Sequence, residues 1–206
     1  MYTAIGIHPT DGQSIADIDG ALADVERMIK VPENKCVAIG EIGLDYHYPD
    51  TDKEKQKYLF ERQMEMAERL GLPVCVHDRD AHGDVMETVT RHRDVVGVMH
   101  SFSGSAEMVR ELMRLGWYVS FSGTVTFTNA RRVREAAAAA SPDRVLIETD
   151  APYLAPHPLR GTCNHSGNLV YTNAALAAAL GITPETCAAV TQENAVRLFG
   201  ITDCLS

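Results

Sequence analysis

The sequence predicts an α/β fold in which parallel β-strands alternate with α-helices. Apolar runs typical of strands lie near residues 2–6, 36–41, 73–77, 95–100, 117–122 and 144–149. Helical patterns lie between most of these runs, and this alternation predicts a parallel sheet with right-handed crossovers. Four of the runs end in polar side chains of the kinds that bind metal ions. Because an α/β barrel places its active site at the carboxyl ends of its strands, we expect a barrel-type fold with a site at that face.

Helix start and stop signals support this alternation. Ser14 is predicted to cap a helix whose apolar side includes Ile29. Thr51 opens a capping box with Glu54, and that helix is predicted to end at Gly71. Further helices are predicted at 81–92, from Ser105 to near Gly116, and at 129–140, 168–180, 184–190 and 192–199.

Length and composition favour a single domain over residues 1–206, of which 45% are apolar. Apolar runs stay shorter than the roughly 18 residues of a membrane span, and the N-terminus lacks the pattern of a secretory signal, so we expect no membrane partner.

The five cysteines are widely spaced and form no Cys-x-x-Cys, which predicts reduced thiols in a cytoplasmic protein. A net charge of −9 disfavours a large basic face for duplex DNA, although a metal ion and a few cations can hold a phosphate.

Four strand ends supply metal-binding side chains. Glu41, His77 and His100 each close an apolar run, and Asp150 follows another. Two imidazoles and two carboxylates match a hydrolytic centre for divalent metal ions in type and number. We therefore expect these four side chains to converge around one ion.

The motifs around these residues are more specific in combination. In chain order they are Gly6-Ile7-His8-Pro9, Gly40-Glu41-Ile42-Gly43-Leu44-Asp45-Tyr46, Val76-His77-Asp78-Arg79-Asp80-Ala81, His100-Ser101-Phe102-Ser103-Gly104, Glu148-Thr149-Asp150-Ala151-Pro152-Tyr153-Leu154 and Arg160-Gly161-x-x-Asn164. The set resembles the TatD family of metal-dependent deoxyribonucleases, within the amidohydrolase-like barrels. The resemblance covers nearly the whole chain.

The resemblance implies one or two divalent metal ions per chain, of Mg, Mn or Zn. It assigns a metal-bridging role to Glu41 and makes His77 and His100 ligands of one metal. It makes Asp150 both a ligand near the other metal and the catalytic group that takes a proton from the attacking water.

Other residues of the motifs are expected to bind substrate or support the ligands. By the same resemblance, His8 and Arg79 line the phosphate pocket. Arg79 has an alternative role, which is to orient Glu41 or Asp45. Asp45 and Glu148 are expected to lie behind the ligands and orient them.

The chain departs from the family pattern at its front. Family members open with a strand ending in His-x-His, and no His-x-His occurs in this sequence. The expected fold is thus a TIM-type (β/α)8 barrel that is incomplete, with about six strands and without the first two β/α units. A shortened start site or truncated gene model, a natural short form and a damaged remnant all remain open. The natural short form would be a homo-oligomer that covers the open sheet edges.

The leading functional prediction is a metal-dependent hydrolase that cleaves the phosphodiester bonds of DNA, with exonucleolytic action. DNA or another phosphodiester would then be the partner, bound by local contacts. One alternative is hydrolysis of another ester, a lactone or an amide on the same metal scaffold. A second alternative is a non-catalytic remnant that serves as an interaction protein.

Overall fold

A computed structural model describes residues 1–201 of the chain. These residues form two compact units, Met1–Val98 and the residues from Met99 onward. The prediction of a single domain over residues 1–206 stays a prediction. Within the described part, no single helix is long and apolar enough to cross a membrane, and one bent pair, Ser166–Leu180 with Pro184–Phe199, meets the criteria by length and composition only.

The first unit contains parallel strands. They are β1 (Thr3–Ala4), β2 (Cys36–Asp45), β3 (Val74–Arg79) and the first residues of β4 (Gly97–Met99). Strand β1 pairs in parallel with β2, and β2 pairs in parallel with β3. These pairs agree with the predicted parallel arrangement.

Strand β2 carries one extra residue where it passes β3. Ile39 lies opposite Val74 and Ile42 lies opposite Val76, so three steps along β2 correspond to two along β3. Such a bulge bends the strand and changes the direction of a side chain. Glu41 lies at the bulge and is partly exposed, although its neighbours in the strand are buried.

The helices of the first unit are α1 (Pro9–Gly12), α2 (Ile18–Ile29), α3 (Lys53–Leu70) and α4 (His82–Arg91). The predicted cap of α2 is wrong, because Ser14 Oγ donates instead to Asp11 O at 3.0 Å in the turn after α1. Asp17 is the cap, and its carboxylate accepts the Gly20 N–H at 3.0 Å.

Helix α3 ends as predicted but starts one residue later. Asp52, a stronger cap than Thr51, accepts the Lys55 N–H at 3.0 Å. The Thr51 hydroxyl lies 3.4 Å from Asp45 O instead. At the other end Gly71 has a φ of 64°, the left-handed conformation that commonly closes a helix.

The second unit contains β5 (Tyr118–Phe121) and β6 (Val145–Ile147), which pair in parallel. Its helices are α5 (Ala106–Arg114), α6 (Arg131–Ala139), α7 (Leu169–Leu180) and α8 (Pro184–Phe199). The two helices predicted at 184–190 and 192–199 are one continuous helix. Thr191, between them, turns its hydroxyl back to Cys187 O at 2.9 Å and so stays within the helix.

Candidate metal centre

His77 lies on β3, opposite Gly43 near the end of β2. Its partner across the strands is Gly43, which has a φ of 134°. A Cβ atom at position 43 would lie 2.1 Å from the His77 carbonyl oxygen. Glycine therefore permits the approach that brings the end of β2 beside His77.

The imidazole of His77 lies between two carboxylates. Its Nδ1 is 2.8 Å from Glu41 Oε1, and its Nε2 is 3.0 Å from Asp45 Oδ2. A neutral imidazole has one N–H and can donate to only one of them. Asp45 has the greater need of that donor because its side chain is only 3% exposed. The lone pair of His77 then faces Glu41.

A second imidazole lies beside this pair. His8 caps the short helix α1, and its Nδ1 lies 2.7 Å from the hydroxyl oxygen of Thr10. Its Nε2 is 3.9 Å from Glu41 Oε1, and its ring meets that of His77 edge-on with centroids 4.6 Å apart. Burial, with the neighbouring His77 as the second cause, lowers the pKa of His8 below its ordinary value. This shift favours the neutral imidazole, which offers a lone pair on Nε2, the nitrogen facing Glu41, when Nδ1 carries the proton and donates it to the Thr10 hydroxyl.

These three side chains fit a divalent metal ion. His8, Glu41 and His77 each offer one ligand atom, and the three atoms lie within 4.8 Å of one another. Imidazole nitrogens and a carboxylate oxygen are the donors that hydrolytic metal sites use. A cation between the Glu41 carboxylate and the His77 lone pair would satisfy both. His77 would then donate its single N–H, on Nε2, to Asp45, as metal-bound histidines commonly do to a carboxylate.

In the second unit, His100 also lies between two carboxylates. Its Nδ1 is 2.9 Å from Glu148 Oε2, and its Nε2 is 3.2 Å from Asp150 Oδ1. Glu148 also accepts the Ser101 N–H through its other oxygen, at 2.6 Å. Glu148 thus contacts His100 at the ring nitrogen opposite the one that faces Asp150, and its orienting role stays a prediction.

The backbone around His100 and Asp150 adopts uncommon conformations. Ser101 has a φ of 41° and Asp150 a φ of 57°, both in the left-handed region that costs non-glycine residues free energy. The Ser101 hydroxyl contacts that of Ser122 at 2.7 Å, and Ser122 in turn contacts the Thr124 hydroxyl at 3.1 Å. These hydrogen bonds help to hold the turn after His100.

Arg79 contacts Asp45 and leaves much of its side chain exposed. Its Nη1 is 4.0 Å from Asp45 Oδ2, and its side chain is 46% exposed. Its guanidinium also lies 5.9 Å from the centre of the Tyr48 ring. Both roles considered for Arg79, orienting Asp45 and binding phosphate, agree with this position.

The structure groups the predicted residues into two sets. His8, Glu41, Asp45, His77 and Arg79 lie together in the first unit, and His100, Glu148 and Asp150 lie together in the second. The expectation that Glu41 and His77 share one ion with His100 and Asp150 stays a prediction. The resemblance gives His8 a place in the phosphate pocket and no role as a metal ligand. The structure adds His8 to the candidate metal donors beside Glu41 and His77. No local pattern marked this role, because the approach of His8 to Glu41 joins residues far apart in the chain.

Comparisons with known proteins find relatives that match nearly the whole chain. Residues 1–200 match the family described as "TatD related DNase". The chain is 42% identical over 203 residues to the uncharacterized metal-dependent hydrolase YabD of Bacillus subtilis, covering 98% of this chain and 78% of that protein. It is 38% identical over 208 residues to the uncharacterized metal-dependent hydrolase TatD of Mycobacterium tuberculosis, covering 98% and 77%.

Solved structures show the same fold. YjjV, a TatD homologue from Escherichia coli, superposes with a TM-score of 0.90 at 29% identity, over 98% of this chain and 77% of its own. A TatD family hydrolase from Entamoeba histolytica gives a TM-score of 0.84 at 20% identity, over 98% and 75%. The predicted α/β fold class is thereby confirmed, and the chain belongs to the TatD family of metal-dependent hydrolases.

Proposed function

We propose that this protein is a metal-dependent deoxyribonuclease that hydrolyses phosphodiester bonds at DNA ends. The observation that carries the proposal is the donor set His8, Glu41 and His77, with ligand atoms within 4.8 Å of one another. It occurs in a chain that matches a family described as "TatD related DNase". A divalent ion such as Mg, Mn or Zn is the cofactor that these donors would hold.

When bound, such an ion would polarise a phosphoryl oxygen and acidify a water molecule. Asp45 would keep His77 in the tautomer that leaves its lone pair toward Glu41, through the 3.0 Å contact between His77 Nε2 and Asp45 Oδ2. In the second unit Asp150 would accept the proton of the attacking water as a general base. With the His100 proton on Nδ1, toward Glu148, the Nε2 lone pair of His100 would accept that proton from Asp150 Oδ1, 3.2 Å away.

Arg79 is the proposed phosphate-binding residue. Its guanidinium carries several N–H donors in a planar fork that suits the non-bridging oxygens of a phosphate. Nearly half of its side chain is exposed, so these donors are accessible to a substrate. The contact with Asp45 at 4.0 Å holds the arginine beside the donor set.

A stacked pair in the second unit offers a contact for a single-stranded substrate. The Arg160 guanidinium lies 4.1 Å from the centre of the Phe127 ring. Phe127 is half-buried and Arg160 is exposed, so the outer face of the guanidinium can stack on a base. Phe102 is 3% exposed and packs against Phe121, so it is too buried for this role.

Metal binding and cleavage test the proposal together. Calorimetry with Mn²⁺ should give at least one bound ion per chain, and an end-labelled single-stranded oligonucleotide should be shortened in the presence of Mg²⁺ or Mn²⁺. Glu41→Gln should lower the metal affinity by more than about 100-fold, since losing even a supporting group costs about 10–100-fold. The matched control is Glu33→Gln, which changes an exposed glutamate in the same unit.

Two results would contradict the proposal. Turnover of carboxyl esters or lactones without cleavage of DNA would favour the alternative hydrolase. A folded chain that binds no metal would favour a non-catalytic interaction protein. A homo-oligomer and a cytoplasmic location stay predictions, which sedimentation and cell fractionation test.

A further inference from the structure

Two glutamines on helix α3 are buried beneath the metal centre. Gln56 and Gln63 are each only 1% exposed, and they are seven residues apart, so they lie on the same face of the helix. A buried amide costs free energy unless its oxygen and nitrogen are hydrogen-bonded. Outside the helix, the partners of both side chains are backbone groups on either side of His8 and at Asp45.

Gln63 binds the residue before His8. Its Oε1 accepts the Ile7 N–H at 2.7 Å, and its Nε2 donates to Ile7 O at 3.2 Å. The same Nε2 lies 3.2 Å from Leu59 O within the helix. One side chain thus satisfies both backbone groups of Ile7, as a neighbouring strand would do. Upstream, the backbone pairing with β2 includes Gly40 N–H, which donates to Ile5 O at 3.2 Å.

Gln56 binds the residue after His8 and also reaches the support of His77. Its Nε2 lies 3.4 Å from Pro9 O, and its Oε1 accepts the Asp45 N–H at 2.8 Å. Asp45 in turn contacts His77 Nε2. Gln56 therefore connects the backbone next to His8 with the backbone of Asp45, whose carboxylate contacts the imidazole of His77.

We propose that Gln56 and Gln63 are positioning residues that set the two imidazoles of the metal centre before metal binds. The inference rests on the proposed function, because it concerns how the same donor set is held. Glutamine suits both positions because each side chain must accept from one backbone N–H and donate to at least one backbone carbonyl. An apolar residue would leave buried backbone groups without these partners, and an ionised glutamate would lack the donor.

The first experiment measures Mn²⁺ affinity by calorimetry. Gln56→Leu and Gln63→Leu should each weaken binding by about tenfold or more, the range for groups that support metal ligands. Met64→Ala is the control for lost stability, because Met64 is fully buried on the same helix. Gln13→Leu is the control for chemistry, because Gln13 Oε1 accepts the Asp52 N–H at the start of α3. Both controls should keep the wild-type affinity within about twofold, and equal losses in all four variants would overturn the proposal.

The second experiment uses the metal-free protein and therefore does not depend on the proposed function. Long-range ¹H–¹⁵N spectra report which ring nitrogen of a histidine carries the proton. Gln56→Leu should change this pattern for His77, and Gln63→Leu should change it for His8, whereas Gln13→Leu should change neither. Unchanged ring signals in both variants would overturn the proposal even if metal binds.

Amide exchange in the wild-type protein covers the case in which the leucine variants do not fold. The N–H groups of Ile7 and Asp45 should exchange as slowly as the amide of Met64 in the middle of α3. Exchange at the rate of an exposed loop amide would contradict the hydrogen bonds on which the proposal depends. If wild type binds no Mn²⁺ but these two amides are protected, the proposed function fails, while the hydrogen bonds by which Gln56 and Gln63 hold the backbone at His8 and Asp45 stand.

Discussion

The two clusters of catalytic-type residues share one arrangement but rest on different supports. In the first unit His77 lies between Glu41 and Asp45, and in the second unit His100 lies between Glu148 and Asp150. In both clusters, each of the two ring nitrogens of one imidazole faces a different carboxylate. A neutral imidazole cannot donate to both, so each cluster is suited to an additional cation or proton.

The supports differ in burial and backbone conformation. Asp45, the carboxylate behind His77, is 3% exposed in its side chain, whereas Glu148, behind His100, is 23% exposed. The first cluster is held by strand β2 and by buried glutamines, while the second includes two residues with positive φ, Ser101 and Asp150. Similar imidazole–carboxylate chemistry is thus held by buried hydrogen bonds in the first cluster and by a constrained turn in the second.

The largest effect is expected at the constrained turn. Asp150→Asn should lower DNA hydrolysis by roughly 10²–10⁴-fold, because the amide cannot accept the proton of the attacking water. The free energy of unfolding should change by less than about 0.5 kcal/mol, since asparagine also tolerates positive φ. Steady-state kinetics and urea unfolding give the two values, with the exposed Asp94→Asn as the control. Normal hydrolysis in Asp150→Asn would remove Asp150 from catalysis and leave it a role in the turn.

The next effect compares the two supporting carboxylates. Asp45→Asn should weaken Mn²⁺ binding by about 10–100-fold, because its amide would donate to His77 Nε2 and leave the ring proton on Nδ1, facing Glu41. Glu148→Gln should have a smaller effect on metal affinity, because Glu148 is more exposed and water can replace it. Calorimetry on both variants measures the difference. A larger loss in Glu148→Gln would reverse the order of the two supports.

The smallest effect is expected at the start of α3, where a substitution should change the stability of the protein and leave the metal centre unaffected. Asp52→Ala removes the cap of α3 and should lower the free energy of unfolding by about 1 kcal/mol. Thr51→Ala should change it by less than about 0.5 kcal/mol. Neither should alter Mn²⁺ affinity, because Gln56 and Gln63 lie at least a turn inside the helix. Urea unfolding with calorimetry checks both values, and a greater loss of stability in Thr51→Ala would restore Thr51 as the cap.

The sequence was informative where a residue type has one common structural use. Apolar runs located the strands, Gly71 located the end of α3, and the polar strand ends led to the contacts of His77 and His100. A local pattern could not distinguish Ser14 from Asp17 as a helix cap, because that choice depends on a hydroxyl engaged in the preceding turn.

The rest of the site depends on long-range packing. The place of His8 beside Glu41 follows from contacts between residues far apart in the chain, which no local pattern contains. Gln56 and Gln63 look like ordinary polar residues of a helix surface, and only the fold shows that they are buried.

The extra residue in β2 has a consequence for protein engineering. Side chains before and after the bulge alternate out of phase, and the glutamate occupies the position where the phase changes. A designer who grafts this donor set onto another α/β scaffold must therefore transfer the surplus residue together with the ligands. On a regular strand without the bulge, the direction of the same glutamate side chain would be fixed by the alternation of its neighbours between the two faces of the sheet.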